Sequence, residues 1–476
     1  MARPLFLTKN KAALVHESTI HVLERTGIDL DHPEAEALLL KAGARKDDEG
    51  RILIPRAMVQ EALIKAYRRF RIYDRQGREA LTVQNGSNYF GPGSDAQYNV
   101  DRQNWRMRRS VLADVTQNVR IADALTAFDF VMSMALPEDV EPCRLYPVVF
   151  AEMLKNTTKP LVTTATNVED IRNIHHIAVL VAGDEARLRQ RPFFLAYLEP
   201  ISPLRLSESI AGRLLYCAEH GIPILFAAGA NCGGGAPITP EGGVVQGSAE
   251  SLAGLALALL KNPEAKFVYG ANTSVLDMGT TIVCYGAPEW FRTVAMYADM
   301  GKYYNLPSWG TAGCSDAFWI DAQSAMEAYE GILLAVQSGT TLAHDVGFLA
   351  HGSLYDARML VLTDAMIKRA KYLLKPAELS EEAFAKDVID EVARQHSLFL
   401  AHPSTHNIYR RALWLPPSYI NRQHISQYEQ RRSLGEMLID DVQKILATHQ
   451  PNPLDENVDA AINQYLDSLQ ETTTNA

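Results

Sequence analysis

The stretch from Leu306 to Gly352 constrains the fold of this chain more than any other. It reads LPSWGTAGCSDAFW, then a long amphipathic segment, then SGTTLAHDVGFLAHG. A short apolar run leads into a polar loop, a helix-period segment follows, and a second apolar run and loop close the pattern. Both loops concentrate residues that carry chemistry: Trp309, Cys314, Asp316, His344, Asp345 and Phe348.

The same unit recurs upstream. Short, mostly apolar strand candidates fall at 88–92, 128–134, 160–165, 193–199, 223–229, 266–271, 306–312 and 339–344. Helix-period segments follow them at 111–124, 145–155, 168–182, 207–220, 247–261, 288–303, 321–337 and 356–372. Several strands are apolar on both faces, as in a parallel sheet covered by helices. Eight β–α units predict an α/β fold, a (β/α)8 TIM barrel rather than an open doubly wound sheet. The glycine-rich first turn of a dinucleotide-binding fold is missing.

The barrel is expected over 87–375, behind an N-terminal helical cap with a hairpin at 1–86 and ahead of a C-terminal helical extension at 376–476. In the cap, Ala12, Val15, Val22 and Leu23 share a helical face, Pro33 and Pro55 open two further helices, and FRIYDRQGREALTV turns at Gln76-Gly77. The C-terminal extension is charged and broken at Trp414 to Pro417, and is expected to act as an outer cap or an oligomer contact, so a homo-oligomer is expected.

Charge narrows the function by exclusion. A formal net charge of −10 argues against a nucleic-acid or anionic-membrane partner. The five cysteines form no CxxC pair, which fits reduced thiols. MARPLFLTKNK has no apolar core of signal-peptide length, and no apolar run approaches the roughly 20 residues that span a bilayer. A cytoplasmic protein is expected.

In a barrel the chemistry sits on the loops after the strands. Those loops hold GPGSDAQY (Gly91 to Tyr98), Thr163-Thr164, Tyr197 and Glu199, AAGANCGGGAPITPEGG, and Asn272. Gly233, Gly234 and Gly235 are the most permissive backbone in the chain and suit either a flexible lid or the close approach of a large ligand or protein. His344-Asp345 suits an acid–base pair or a purely structural hydrogen-bonding role. No HxH or HExxH spacing accompanies it, and no metal is expected. Glu199 is either the counter-charge of a cationic substrate or the partner of a loop arginine. Aromatic residues cluster near the strand ends, and a subset of Tyr98, Tyr197, Trp309, Phe318, Phe348 and Tyr355 suits an ammonium cage.

The loop sequences YFGPGSDAQYNVD, AAGANCGGGAPITPEGGVVQGSAESLAG, GTTIVCYGAPE, GTAGCSDAFWIDAQSAMEAYEG and HDVGFLAHGSLYDARMLVLTDAMI together resemble the trimethylamine methyltransferase family of corrinoid-dependent methyltransferases. The archetypes of that family carry pyrrolysine and demethylate trimethylamine. This chain has only the ordinary twenty residues, so it resembles the non-pyrrolysine branch, which acts on quaternary amines such as glycine betaine.

The resemblance implies methyl transfer from a quaternary nitrogen to cobalt(I) of a corrinoid held by a separate small protein, with no cofactor bound tightly to this chain. A quaternary ammonium leaves as a neutral tertiary amine, so departure needs no general acid. The chain's task is then to position the methyl group and exclude water. The expected polar site residues are His344, Asp345 and Glu199. Tyr98, Tyr197, Trp309, Phe318, Phe348 and Tyr355 are candidates for the cationic end. A betaine carboxylate is expected to meet His344, the amides near Gly93-Ser94, or Asn231. Gly93, Ser94 and Gly233 to Gly235 are the candidates for corrinoid approach. Proline betaine and carnitine remain open as substrates, as does a barrel lyase or hydrolase built on His344-Asp345.

Overall fold

The computed structural model describes residues 5–474. Residues 1–4, part of the segment read above for location, lie outside them. Seven parallel strands form one curled sheet: Tyr89–Phe90, Leu161–Thr163, Phe194–Leu198, Ile224–Ala228, Phe267–Ala271, Ser308–Thr311 and Leu342–His344. The last pairs back onto the first, with Leu342 opposite Tyr89 and Ala343 opposite Phe90. The remaining gap is filled by the segment around Val131. The Asp129 N–H donates to the Phe90 carbonyl at 2.7 Å, and Val131 bridges Leu161 in parallel. The segment expected as a second strand is thus a single bridge with backbone pairing on both sides. It ends at Met134, whose φ is 59°. The eight staves follow chain order and close a (β/α)8 barrel.

The wall helices are Leu112–Ala124, Leu145–Asn156, Val168–Ala182, Glu208–His220, Pro240–Lys261, Pro288–Tyr304, Ala322–Ser338 and Ala357–Leu373. Local chemistry sets their ends. The Asn167 and Asp321 side chains accept from the N–H groups of Asp170 (2.9 Å) and Ser324 (3.1 Å), and Gly221 and Gly339 end their helices in the left-handed conformation.

One helix departs from expectation. Pro240–Lys261 starts two turns before the expected 247, across Gly242, Gly243 and Gly247. Glycine weakens a helix, but a Cβ at Gly243 would strike Cys232 and Thr273, and one at Gly247 would strike the Tyr297 hydroxyl. Close packing therefore overrides propensity. This helix is also long and apolar enough to cross a membrane, contrary to the sequence reading, yet 83% of its apolar window is buried among its neighbours.

Alternation along each strand makes two cores. Outward residues such as Phe194, Phe226 and Phe267 pack under the helices. Inward residues Phe130, Val162, Leu195, Leu225, Val268, Trp309 and Leu342 fill the barrel, joined by Phe70, Ile72, Leu81 and Val83 of the hairpin Arg69–Tyr73/Glu79–Gln84. The hairpin lies at the N-terminal end of the barrel: the Tyr73 N–H donates to the Pro192 carbonyl at 2.9 Å, and the Thr341 hydroxyl to the Gln84 carbonyl at 3.3 Å. It is the plug of the barrel floor.

Helices Lys9–Arg25, Pro33–Lys41 and Arg56–Lys65 pack on the wall helix Pro240–Lys261. At the other terminus, helix Leu434–Thr448 lies on Ala357–Leu373, and Glu456–Thr474 lies on Val168–Ala182. Between them, residues 376–432 bury only Val392 and Tyr419.

Candidate active site

Loops after the strands build two small sheets around the C-terminal mouth of the barrel. One combines Tyr98–Val100, Met107–Arg109, Phe348–Leu349 and Leu354–Tyr355; the other combines Asn231–Cys232, Ser274–Leu276 and Val283–Cys284. Between them lies a cavity of about 450 Å³, a size suited to a small molecule.

Three carboxylates face this cavity: Asp95, Glu199 and Asp345. Tyr197, Tyr285, Trp290 and Phe348 supply aromatic surface, and Ser94, Thr164, Asn231, Asn272, Ser274, His344 and His351 supply polar groups. Among the described lining residues there is no lysine or arginine. Asp95 and Asp345 both sit on left-handed backbone, with φ of 62° and 65°, a conformation that aspartate tolerates better than most residues.

The acids are held by neutral donors. The Tyr197 hydroxyl donates to Glu199 Oε1; Asn272 Nδ2 donates to the Tyr197 oxygen at 2.6 Å, and the Thr311 hydroxyl to Asn272 Oδ1 at 3.2 Å. Asp345 is buried, Asp95 is half-buried, and Glu199 is exposed only toward the cavity. Loss of bulk water raises the pKa of all three. The charge of Glu199 pushes Asp345, and that of Asp95 pushes both others, further in the same direction.

His344 is neutral. Burial lowers its pKa to about 3, and its Nδ1 lies 3.1 Å from the Gly310 carbonyl, which only accepts. Nδ1 therefore carries the proton. Nε2 is left as an acceptor, 3.4 Å from Asp345 Oδ1.

The structure thus gathers Tyr197, Glu199, Asn231, His344, Asp345, Phe348 and Ser94 at one cavity. It places the other candidates elsewhere. Trp309 is fully buried one layer below, its ring 4.2 Å from that of His344. Tyr355 is buried behind Phe348 at 5.1 Å and donates to the Val346 carbonyl. Tyr98 lies under the Arg109 guanidinium at 4.6 Å. Phe318 is 60% exposed outside the cavity, against His351. Gly93 is packed so closely on Phe348 and Asp345 that a side chain there would displace both. Gly233 and Gly234 form an exposed turn beside Ile238, Met278 and Leu276, and Gly235, half-buried, packs on Ser202. Asp316 pins two loops together, accepting from the Tyr285 and Gly286 N–H groups and lying 2.8 Å from His351 Nδ1. Cys314 is buried, and burial pushes its thiol pKa up, which disfavours the thiolate.

Asp95, Thr164, Asn272, Ser274, Tyr285, Trp290 and His351 also line the cavity; the sequence places Thr164 and Asn272 on its loops but singles out none of the seven for a role. Alternation would have found three of them: Thr164 follows inward Val162, and Asn272 and Ser274 continue the inward series from Val268.

A closed eight-stave barrel with an acidic and aromatic cavity at its C-terminal mouth places the candidate site where barrel enzymes carry theirs. The model of the trimethylamine methyltransferase (MTTB) family matches residues 2–473, and the chain belongs to this family. It is an enzyme, a methyltransferase of the corrinoid-dependent kind. A trimethylamine methyltransferase of Desulfitobacterium hafniense (strain DSM 10664 / DCB-2) is 28% identical over 383 residues, covering 79% of this chain and 76% of that one. A glycine betaine methyltransferase of Desulfitobacterium hafniense (strain Y51) is 23% identical over 462 residues, covering 97% and 96%. The crystal structure of a Methanosarcina barkeri monomethylamine methyltransferase superposes with a TM-score of 0.53 at 11% identity, covering 97% and 88%, and shares the fold.

Proposed function

We propose that the enzyme takes a methyl group from a quaternary amine and passes it to the cobalt of a corrinoid carried by a separate protein. The observation that carries the amine half is the wall of Asp95, Glu199 and Asp345, with no lysine or arginine among the residues that line the cavity; Arg213, outside that lining, offsets part of the charge of Glu199. Such a wall is unfavourable when empty and is relieved by a cation. Tyr197, Tyr285, Trp290 and Phe348 offer ring surface to the methyl groups, each contact worth about 0.5–2 kcal/mol. The chain Thr311–Asn272–Tyr197 fixes Glu199 in place. This attraction serves binding more than rate, because positive charge leaves the amine as the methyl group departs. Positioning and exclusion of water serve the rate.

The corrinoid half rests on the rim. A cavity of about 450 Å³ suits the amine, and the rim around it is glycine-rich and apolar. Ile238 and Met278, beside Gly233, and Phe318, beside His351, are 57%, 69% and 60% exposed. A patch of this kind fits a partner protein that brings its corrinoid face over the mouth. When docked, the corrinoid supplies the methyl acceptor.

Glycine betaine is our first substrate assignment, supported by the kinship to a glycine betaine methyltransferase. Its carboxylate would have to be met by Ser94, Asn231, Thr164 or a protonated Asp345. The lack of a lysine or arginine in the cavity lining favours a second reading, a quaternary amine without a carboxylate, such as choline. The test supplies reduced cobalamin and follows methylcobalamin formation with each amine. Methylation from glycine betaine but not trimethylamine supports the first assignment; methylation from choline alone selects the second. No methylation from any quaternary amine, with a corrinoid protein also supplied, would sink the proposal.

The exposed segment 376–432 supports self-association. Leu398, Leu400, Ile425 and Tyr428 are all more than 70% exposed, and a cleft of about 630 Å³ runs between Tyr372, Phe399 and Tyr409. Light scattering of the whole chain against a version truncated after residue 375 tests this. A monomer in both would remove the proposal.

A further inference from the structure

Outside the barrel wall, three side chains from three helices converge on one point. His175 comes from Val168–Ala182, Glu185 from the short helix Glu185–Gln190, and His220 from the end of Glu208–His220. His175 Nε2 lies 3.2 Å from Glu185 Oε2, and His220 Nδ1 lies 3.1 Å from Glu185 Oε1. One ligand atom from each residue falls within 4.8 Å of the others.

We propose that His175, Glu185 and His220 form a zinc site. Two imidazole nitrogens and a carboxylate oxygen are a donor set that Zn²⁺ takes. Bonds of roughly 2.0–2.2 Å at tetrahedral angles put ligand atoms roughly 3.3 Å apart; each imidazole already lies at about that distance from one Glu185 oxygen, and a small closure of the set, all within 4.8 Å, would bring the rest to it. The ring orientations are already set. His175 Nδ1 lies 3.0 Å from the Tyr216 hydroxyl, the outer-sphere partner that holds a metal-binding imidazole in one tautomer. Tyr216 also stacks on the His220 ring at 4.2 Å and 31°.

Access agrees with this assignment. His175 is buried, its ring held by the Tyr216 hydroxyl. Glu185 is exposed, which leaves a fourth position open to water. Arg189 nearby donates to the Glu219 carbonyl at 3.0 Å rather than to Glu185. None of the three ligands belongs to the barrel mouth. The metal would act as a staple, tying the short helix Glu185–Gln190, which follows the Gly183-Asp184 turn, to the two wall helices beside it.

The test uses the full chain stripped with a chelator. Cobalt(II) is titrated as a spectroscopic probe, and zinc is then competed against a chromophoric chelator. One cobalt per chain with the strong visible bands of a tetrahedral site, displaced by zinc, is the expected result. His220→Ala, at a partly exposed position, should weaken zinc by more than the roughly 10- to 100-fold typical of losing an outer-sphere partner. Glu185→Gln should do the same. His176→Ala, whose ring stacks on Tyr465 instead, should bind zinc as the wild type does. Zinc should raise the melting temperature of the wild type and not that of His220→Ala. A wild type that binds no stoichiometric zinc, or an equal thermal response in both proteins, would show that the cluster only shares protons and would overturn the proposal.

Discussion

The two ends of the barrel interior are built from the same strands and behave as opposites. Moving two residues along a strand turns Val162 into Thr164, Leu195 into Tyr197 and Leu342 into His344. Below, the inward side chains are apolar, fully buried and sealed by the hairpin. Above, they are polar or acidic and face a cavity. The floor should therefore carry stability and the mouth should carry recognition, divided along the barrel axis.

The strongest challenge to that division is Phe70→Ala in the floor plug. It should cost about 3–5 kcal/mol in denaturant melts, while the KM of the protein that remains folded stays unchanged. A large KM shift would show that the ends are coupled. Glu199→Gln in the mouth should do the reverse. Loss of a charge that meets the ammonium is worth about 1.5–3 kcal/mol, hence a KM rise of roughly 10- to 100-fold at nearly constant kcat, with a melting temperature equal to or above wild type. A fall in kcat at constant KM would reassign Glu199 to the chemical step.

Phe348→Leu sharpens the comparison within the mouth. It keeps bulk but loses a ring face, and should weaken a quaternary amine by about 0.5–2 kcal/mol while leaving an uncharged tert-butyl analogue unaffected. Equal losses for both would remove Phe348 from the ammonium contact.

The smallest effect concerns pH. Glu199 and Asp345 hold their protons above the ordinary carboxylate range, so the folded state there binds more protons than the unfolded one. Stability of the ligand-free enzyme is then lost as pH rises through that range. His344 stays neutral down to about 3 against an ordinary 6.5, so its contribution is lost as pH falls below 6.5. Glu199→Gln should flatten the alkaline limb of a melting profile, and His344→Gln the acid limb. Unchanged limbs would mean that these groups titrate normally.

The barrel itself was legible because each unit repeats one period change, from strand to helix, and glycine or a capping residue marks the junctions. The start of helix Pro240–Lys261 was hidden, since its glycines serve packing that only the fold reveals. Strand-end position pointed to Tyr197, Glu199, His344 and Asp345, which line the cavity. It also pointed to Tyr98, Phe318 and Tyr355, which do not, because an aromatic residue in a loop carries no sign of which side it will face. Trp290 was absorbed into a helical pattern, although the helix start turns it into the cavity. Asp95 needed the left-handed turn after Gly93-Ser94 to aim it inward.

The hairpin plug has a kinetic consequence. With the floor closed by Phe70, Ile72, Leu81 and Val83, the mouth is the cavity's route to solvent. On the proposed function, the methyl acceptor covers that same mouth. The amine must therefore enter before the partner docks, and the demethylated amine must wait until the partner leaves. The enzyme should follow an ordered sequence, with the corrinoid protein arriving last and departing first, and excess partner protein should inhibit by trapping the amine-free form.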